Sequence, residues 1–160
     1  MNRTAAMVTT ALLLLPVSAL SDTPTVDVPE TARAAAATVD RFFAALSAGD
    51  LERAAVELDA DVIILESGGA ERSAAEYLGG HAGHDAEFLA GAAITPGHRT
   101  ARASGDLAWV ASESEIAVPK DGKPIAIAST ETMVLKSTPA GWKIVHIHWS
   151  SHVKKPTPTN

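Results

Sequence analysis

Apolar and polar residues alternate with a period of two through the last third of the chain. The clearest case is residues 141–151, where two sets of side chains take alternate positions: Val145, Ile147 and Trp149 in one set, Ile144, His146 and His148 in the other. Side chains on a strand point alternately to opposite faces. The pattern therefore predicts a strand with one face toward a core or pocket and an imidazole-bearing face toward solvent or a partner.

Three preceding segments share this alternation. They are residues 100–104, 107–118 and 124–137, and together with residues 142–153 they predict four consecutive strands. The connections Ser-Gly-Asp, Lys-Asp-Gly-Lys and Thr-Pro-Ala-Gly have the composition of tight turns. Strands in immediate succession with short connections are expected to pair antiparallel.

The first half of the chain has a helical period instead. Within residues 30–47, apolar side chains recur at i, i+3, i+4 and i+7: Val39, Phe42, Phe43 and Leu46. Gly49 is placed to end this helix and Asp50 to cap a second one. After a β-branched run at residues 61–66, residues 73–78 and 81–89 predict two more helices. Helices followed by such strands predict an α+β domain, with N-terminal helices packed on a curved antiparallel sheet.

The two ends of the chain differ from this middle part. Residues 1–21 combine Arg3, an apolar stretch and small residues, the pattern of an export signal. An uncleaved signal anchor is the alternative, but the stretch is short for a membrane span and is interrupted by Thr, Ser and Pro. We expect a periplasmic or secreted protein with a linker at 22–29, one domain at 30–153 and a flexible tail at 154–160.

Composition narrows the range of partners. The chain has 19 acidic and 13 basic residues, and removal of residues 1–21 changes its net charge from −6 to −7. An acidic surface without a Lys/Arg block argues against nucleic acid, and against a membrane partner once the signal is removed. The absence of cysteine excludes disulfides, thiolate metal sites and a cysteine nucleophile. The chain has no phosphate-binding loop and no full set of metal ligands, and we expect no cofactor.

Two segments carry a family resemblance. Glu131-Thr-Met-Val-Leu followed by Gly141-Trp-Lys-Ile-Val-His-Ile-His-Trp-Ser resembles the terminal strand pair of the nuclear transport factor 2-like superfamily, as does Phe42-Phe-Ala-Ala-Leu with Gly49-Asp50. Within this superfamily the sequence resembles the SnoaL-like proteins and the association domain of calcium/calmodulin-dependent kinase II. The resemblance implies a cone-shaped fold, one pocket between helices and sheet, and a homodimer through the outer sheet face. It implies no single reaction, since this superfamily includes isomerases, cyclases, dehydratases and binding or assembly modules.

The resemblance also implies which face of the last strand points inward, namely that of Val145, Ile147 and Trp149. A period of two extends this face to two neighbouring strands, with the members Ser129, Glu131, Met133 and Leu135 on one and Trp109, Ala111 and Glu113 on the other. Carboxylates in apolar surroundings and near one another have raised pKa values, as general acid/base catalysts need. The alternative is that these carboxylates are solvated or paired with Arg99 or Arg102, and that the indoles belong to the core.

Candidate site residues follow from this phasing. The candidate catalytic residues are Glu131 and, one helical turn apart, His81 and Asp85. The candidate ligand-binding residues are Tyr77, Phe88, Trp109, Glu113, Met133 and Trp149. Ala111, Met133 and Trp149 stand where the kinase association domain carries pocket arginines. Because indole faces and carboxylates attract cations, we expect an apolar or cationic ligand rather than an anionic one.

The histidines offer an alternative site. His81 and His84 are i and i+3 on a predicted helix, whereas His146 and His148 are i and i+2 on a strand. Either spacing can place two imidazoles on one metal ion. The preferred interpretation has no metal, because the phasing turns the strand pair outward, where it would form a hydrogen-bonded pair in a dimer interface.

Four functions remain open from the sequence. The first is small-molecule binding in the pocket, and the second is a lyase or isomerase that uses Glu131 or His81 as base. The third is a metal-binding periplasmic protein, and the fourth is an oligomeric assembly module. The sequence contains no signature that decides whether the protein is an enzyme.

Overall fold

The computed structural model describes residues 24–120, without the Lys120 side chain, and residues 123–155. Its elements are β1 (Val26–Asp27), a 3₁₀ turn (Glu30–Ala32), α1 (Arg33–Ser47), α2 (Leu51–Glu57), β2 (Leu58–Glu66), β3 (Gly69–Glu71), α3 (Ala74–Gly79), α4 (Ala82–Ala90), β4 (Ala93–Ser104), β5 (Leu107–Lys120), β6 (Lys123–Thr138) and β7 (Gly141–Val153). The predicted signal at 1–21 and residues 156–160 of the predicted tail lie outside the described residues. Within residues 24–120 and 123–155, no helix is both long and apolar enough to cross a membrane.

The helices begin and end where local chemistry predicts. Gly49 has a φ of 71°, a left-handed conformation that ends α1 at little steric cost. Asp50 then caps α2, because its Oδ1 accepts the Arg53 backbone N–H at 3.0 Å. Ser73 caps α3 in the same way, accepting the Glu76 N–H at 3.1 Å. The predicted helices are therefore confirmed.

The sheet has seven strands in the order β1-β4-β5-β6-β7-β2-β3. Its four central strands form the predicted antiparallel meander, and helices precede it, so the α+β class is confirmed. The sheet as a whole is nevertheless mixed, because β1 runs parallel to β4 and β2 runs parallel to β7. The two strands of each parallel pair are far apart in the chain, and a long connection allows them to run parallel. The short turns of the meander allow only antiparallel pairing.

The N-terminal strand β1 lies within the segment predicted as a linker. Arg99 donates its backbone N–H to Thr25 O at 2.8 Å, and Arg102 Nη2 donates to Asp27 Oδ2 at 2.6 Å. These contacts hold residues 25–27 against the edge strand β4.

A row of five apolar side chains lies at the same register across the inner face of the sheet. We call it the core row: Ala101, Val110, Met133, Ile147 and Ile64. All five are fully buried. They join one hydrophobic core with the apolar stripe of α1, including Val39, Phe42 and Leu46. Full burial of a Val, Ile or Met side chain stabilises a fold by about 1.5–3 kcal/mol.

The core row corrects two features of the predicted phasing. On β5 it is Val110 that pairs with Met133, so Trp109 lies on the outer face and is 40% exposed. The prediction for β5 was wrong by one residue. A period of two does not show which of the two alternating sets faces the core, and Trp109 was assumed to belong to the inner set. On β7 a bulge at Val145 interrupts the alternation, so Ile144 faces the core as well as Ile147.

Candidate functional site

A row of mostly polar side chains lies two residues beyond the core row on each strand. We call it the polar row: Arg99, Ser112, Glu131, Trp149 and Glu66, on β4, β5, β6, β7 and β2 in turn. The two rows share the inner face, because residues i and i+2 of a strand point the same way. The apolar core therefore ends abruptly at a line of ionisable and hydrogen-bonding groups.

The helices add two groups that continue this row. The Tyr77 ring of α3 packs against Trp149 with centroids 6.1 Å apart, and its hydroxyl donates to Asp85 Oδ2 of α4 at 2.9 Å. On the other side, Trp149 Nε1–H donates to Glu131 Oε2 at 3.2 Å. Two carboxylates are thus connected through one phenol and one indole.

A second group of charges lies at the open end of this arrangement. We call it the acidic mouth: Glu66, Glu71 and Asp85. The β2–β3 hairpin brings Glu66 and Glu71 together, since Ser67 and Gly68 both have positive φ, as a two-residue type I′ turn requires. His81 is 2.6 Å from Glu71, measured from Nδ1 to Oε1. The three carboxylates all retain partial solvent exposure.

Three carboxyl groups of the site have raised pKa values. Burial raises the pKa of Glu131, although the Trp149 hydrogen bond and the Arg99 charge partly offset this. Burial also raises the pKa of Asp85, against the opposing effect of the Tyr77 hydroxyl. The pKa of Glu66 rises through burial and then through the charge of Asp85. Raised pKa values of this kind are a feature of carboxyl groups that act as general acids or bases.

The phenol and the imidazole are shifted too. Burial and the adjacent Asp85 raise the pKa of Tyr77, so its hydroxyl remains a hydrogen-bond donor. The hydrogen bond to Glu71 raises the pKa of His81 and favours the imidazolium form. The guanidinium of Arg99 is paired with Asp40 at 2.6 Å.

The structure brings five of the predicted site residues together. Glu131, Trp149, Tyr77 and Asp85 form the connected series, and His81 lies at its open end. Tyr77 and Met133 have no exposed surface in this conformation, so direct ligand contact by either would require the core to open. Phe88 is 42% exposed on α4, three residues after Asp85. The ligand-contact roles of these residues stay predictions.

Two predicted site residues are not part of this group. Trp109 and Glu113 lie on the outer face of β5, opposite Val134 and Thr130 of β6. Glu113 lines a shallow depression of about 170 Å³, together with His98, Thr100, Ala111, Ser112, Thr130, Glu131 and Thr132. Glu131 pairs with Ser112, the neighbour of Glu113, so the two glutamate side chains point to opposite faces of the sheet. The predicted placement of Glu113 on the same face as Glu131 is therefore wrong, because of the same one-residue error in the phase of β5.

Sequence reasoning missed Arg99, Ser112 and Glu71 as members of the site, and did not include Glu66 among the candidate residues. Glu66 aligns with Trp149 only because β2 joins the sheet parallel to β7. No local pattern in the sequence specifies that pairing. The turn signal Ser-Gly-Gly at residues 67–69 could have placed Glu71 beside Glu66, since a two-residue turn fixes the register of a hairpin.

The strand histidines face outward, as predicted. His146 and His148 pair with Val134 and Thr132, which alternate with the buried Met133. The helical pair, His81 and His84, has ring centroids 6.4 Å apart. Within residues 24–120 and 123–155, no three or more His, Cys, Asp or Glu side chains are arranged to hold one metal ion.

Comparison with known proteins matches this architecture. A solved structure from Shewanella frigidimarina NCIMB 400, described as a candidate ketosteroid isomerase, is 39% identical to this chain, with a TM-score of 0.69. The alignment covers 73% of this chain and 94% of that protein. A search of curated protein sequences found no match.

Two more distant structures show the fold alone. A candidate calcium/calmodulin-dependent kinase II association domain from Xanthomonas campestris is 24% identical, with a TM-score of 0.65 and coverage of 83% of this chain and 97% of that one. A candidate dehydratase of the nuclear transport factor 2-like family from Streptomyces avermitilis is 20% identical, with a TM-score of 0.59 and coverage of 74% and 94%. The family profile of the SnoaL-like domain matches residues 35–154. The predicted resemblance is confirmed, and the chain belongs to the SnoaL-like domain family.

Proposed function

We propose that the polar row and the acidic mouth bind a small apolar or cationic molecule. The observation that carries this proposal is the alignment of Glu66, Trp149 and Glu131 at the edge of the apolar core. There a ligand would meet an indole face and carboxylates at once, and both attract cations. Glu66, Glu71, Asp85 and Glu131 retain partial exposure, so solutes reach the site's edge without unfolding.

The charges of the site favour a cation over an anion. Asp40 already pairs with Arg99, the basic member of the polar row, and Glu71 already pairs with His81. Burial raises the pKa of Glu66, and the negative charge of Asp85 raises it further. A bound cation would relieve that repulsion and lower both pKa values.

A matched pair of probes tests this proposal. Benzyltrimethylammonium and neopentylbenzene have nearly the same shape, but only the first is charged. We expect the cation to bind more tightly, and Asp85→Asn to weaken its binding by about 1–2 kcal/mol, as for a desolvated cation contact. Calorimetric titration measures both affinities. Glu113→Gln, on the outer face, is the matched control and should bind like the unaltered protein. Equal affinity for both probes, or equal loss in both variants, would contradict a cation site.

Proton-transfer catalysis of the lyase or isomerase type is the second candidate. It is favoured by the raised pKa values of Glu131 and Asp85, and by the 39% identity to a structure described as a candidate ketosteroid isomerase. Exchange of the α-protons of a cyclic ketone in D₂O measures this activity directly. We expect Glu131→Gln to slow the exchange by about 10²–10⁴-fold while ligand affinity is retained. An exchange rate no faster than the buffer's would argue for binding alone.

We also propose export and homodimerisation. Export is supported by the pattern of residues 1–21. Dimerisation through the outer sheet face is supported by exposed apolar side chains there: Ile63 (46%), Leu65 (37%) and Trp109 (40%). Mass spectrometry of the protein from a periplasmic extract should find a chain that begins at Leu20 or Asp22. Light scattering should give twice the mass of that chain, and a single-chain mass would contradict the dimer.

A further inference from the structure

His146 and His148 lie on the outer face of β7, on the opposite side of the sheet from the polar row. The binding site proposed above does not use them. Residues two apart on a strand are separated by about 6.6–6.8 Å along it and point the same way. Both imidazoles can therefore approach one small ion that sits between them.

A hydrogen bond fixes the chemical form of one imidazole. His146 Nδ1 lies 2.9 Å from the carbonyl oxygen of Ile63. A carbonyl only accepts hydrogen bonds, so Nδ1 carries the proton, and in the neutral ring Nε2 keeps its lone pair. Metal-ligating histidines usually donate their other N–H to a backbone carbonyl or a carboxylate in this manner. His146 is thus already oriented as a metal ligand would be.

The surroundings of the pair are apolar and exposed. Ile63 and Leu65 of β2 flank it on one side, and Val134 and Thr132 of β6 flank it on the other. Ile63 and Leu65 are among the exposed large hydrophobic side chains of the described chain. An exposed apolar surface around two polar groups is typical of a face that another protein surface covers. In the described residues, no third metal-binding side chain joins the two imidazoles.

We propose that His146 and His148 form half of a Zn²⁺ site, which the same two histidines of a second copy complete. A two-fold axis between two copies doubles every contact, so two imidazoles per chain become four ligands. Four nitrogen ligands at about 2.0–2.1 Å satisfy the tetrahedral preference of Zn²⁺. The second copy is the simplest occupant, because it supplies both missing ligands and a matching apolar surface. This proposal does not depend on the function of the inner face.

The stoichiometry of zinc binding tests the proposal. The tag-free chain without residues 1–21 is dialysed against Zn²⁺ at about pH 7.5, and bound metal and molar mass are measured together. We expect half an equivalent of zinc per chain, carried by a dimer whose dissociation constant is lower than in metal-free buffer, because zinc binds only the dimer. At about pH 5 the zinc should be released, because ligation requires neutral imidazoles.

Two variants connect this result to the proposed residues. His148→Ala removes an exposed side chain and, in a dimer, two of the four proposed ligands. It should therefore abolish zinc binding at this site without changing the circular dichroism spectrum. The variant His84→Ala, which removes one imidazole of the helical pair, should bind zinc normally. One zinc per chain, unchanged zinc binding in His148→Ala, or a dimer that needs both histidines but not the metal would each overturn the proposal.

Discussion

The two faces of the central sheet are built from the same strands but differ in how apolar and polar residues are distributed. On the inner face, the fully buried core row gives way within two residues to the polar row. On the outer face, Trp109, His146 and His148 lie among partly exposed residues with no such boundary. On the inner face, therefore, the residues that stabilise the fold lie next to those of the candidate site but are distinct from them. Burial raises the pKa values of carboxyl groups there, although their side chains keep partial solvent exposure. Substitutions on the two faces should have different effects.

The largest difference should appear in stability. Met133→Ala removes a fully buried side chain from the core row and should lower the free energy of unfolding by about 2–5 kcal/mol. Trp109→Ala removes a larger side chain from the outer face, where it is 40% exposed, and should cost less than about 1 kcal/mol in the monomer. Urea denaturation of both variants measures the difference. Similar losses would mean that the outer face is as tightly packed as the inner one.

A smaller effect is expected where helices meet the polar row. Tyr77→Phe removes the hydroxyl that donates to Asp85 and should destabilise the fold by about 1 kcal/mol. It should also raise the pKa of Asp85, because that hydrogen bond favours the charged carboxylate. Thermal unfolding and carboxyl chemical shifts followed by pH titration measure the two effects. An unchanged pKa of Asp85 would show that the hydrogen bond does not persist in solution.

The pH dependence of stability should also distinguish the faces. Burial raises the pKa of Glu131 in the native state above its ordinary value of 4.5. At pH values between the ordinary pKa and the raised native pKa, the native state therefore binds more protons than the unfolded state. Stability should therefore fall as the pH rises through this window. Glu131→Gln should remove that part of the slope, whereas Glu113→Gln on the outer face serves as the control. Denaturation curves at several pH values measure this, and the same slope in Glu131→Gln would contradict the shift.

The smallest effect concerns the His81 imidazole at the acidic mouth. Glu71→Gln removes the carboxylate that raises the pKa of His81, so this pKa should fall toward 6.5. Imidazole proton shifts followed by NMR measure it. If His81 gave the same titration curve in the unaltered protein and in Glu71→Gln, the exposed ion pair would be absent in solution.

The parts of the fold that local chemistry specifies could be predicted from sequence. Helix α1 follows from one apolar stripe, its end from Gly49 and the next start from Asp50. The phase of β6 was predicted correctly, because Glu131 and Met133 do pair with Trp149 and Ile147. In each case the deciding information lies within a few residues of the position concerned.

The remaining features depend on contacts between distant segments. The parallel pairing of β2 with β7 aligns Glu66 with Trp149. In the same pair of strands Ile63 lies opposite His146, which is 83 positions away in the sequence. The bulge at Val145 and the phase of β5 are set by fit to neighbouring strands, which periodicity alone cannot determine. For this reason the sequence located Glu131 and Trp149 correctly but assigned them the wrong neighbours on β5.

The three tryptophans allow a direct test of the central claim that a ligand binds at the polar row. Trp149 lies in that row, Trp109 lies on the outer face, and Trp142 packs against the core near the start of β7. Their indole N–H signals can be followed by NMR while benzyltrimethylammonium is added. The proposed site predicts a saturable shift of the Trp149 signal with little change at Trp109. A shift confined to Trp109, or none at Trp149 up to saturation, would contradict it.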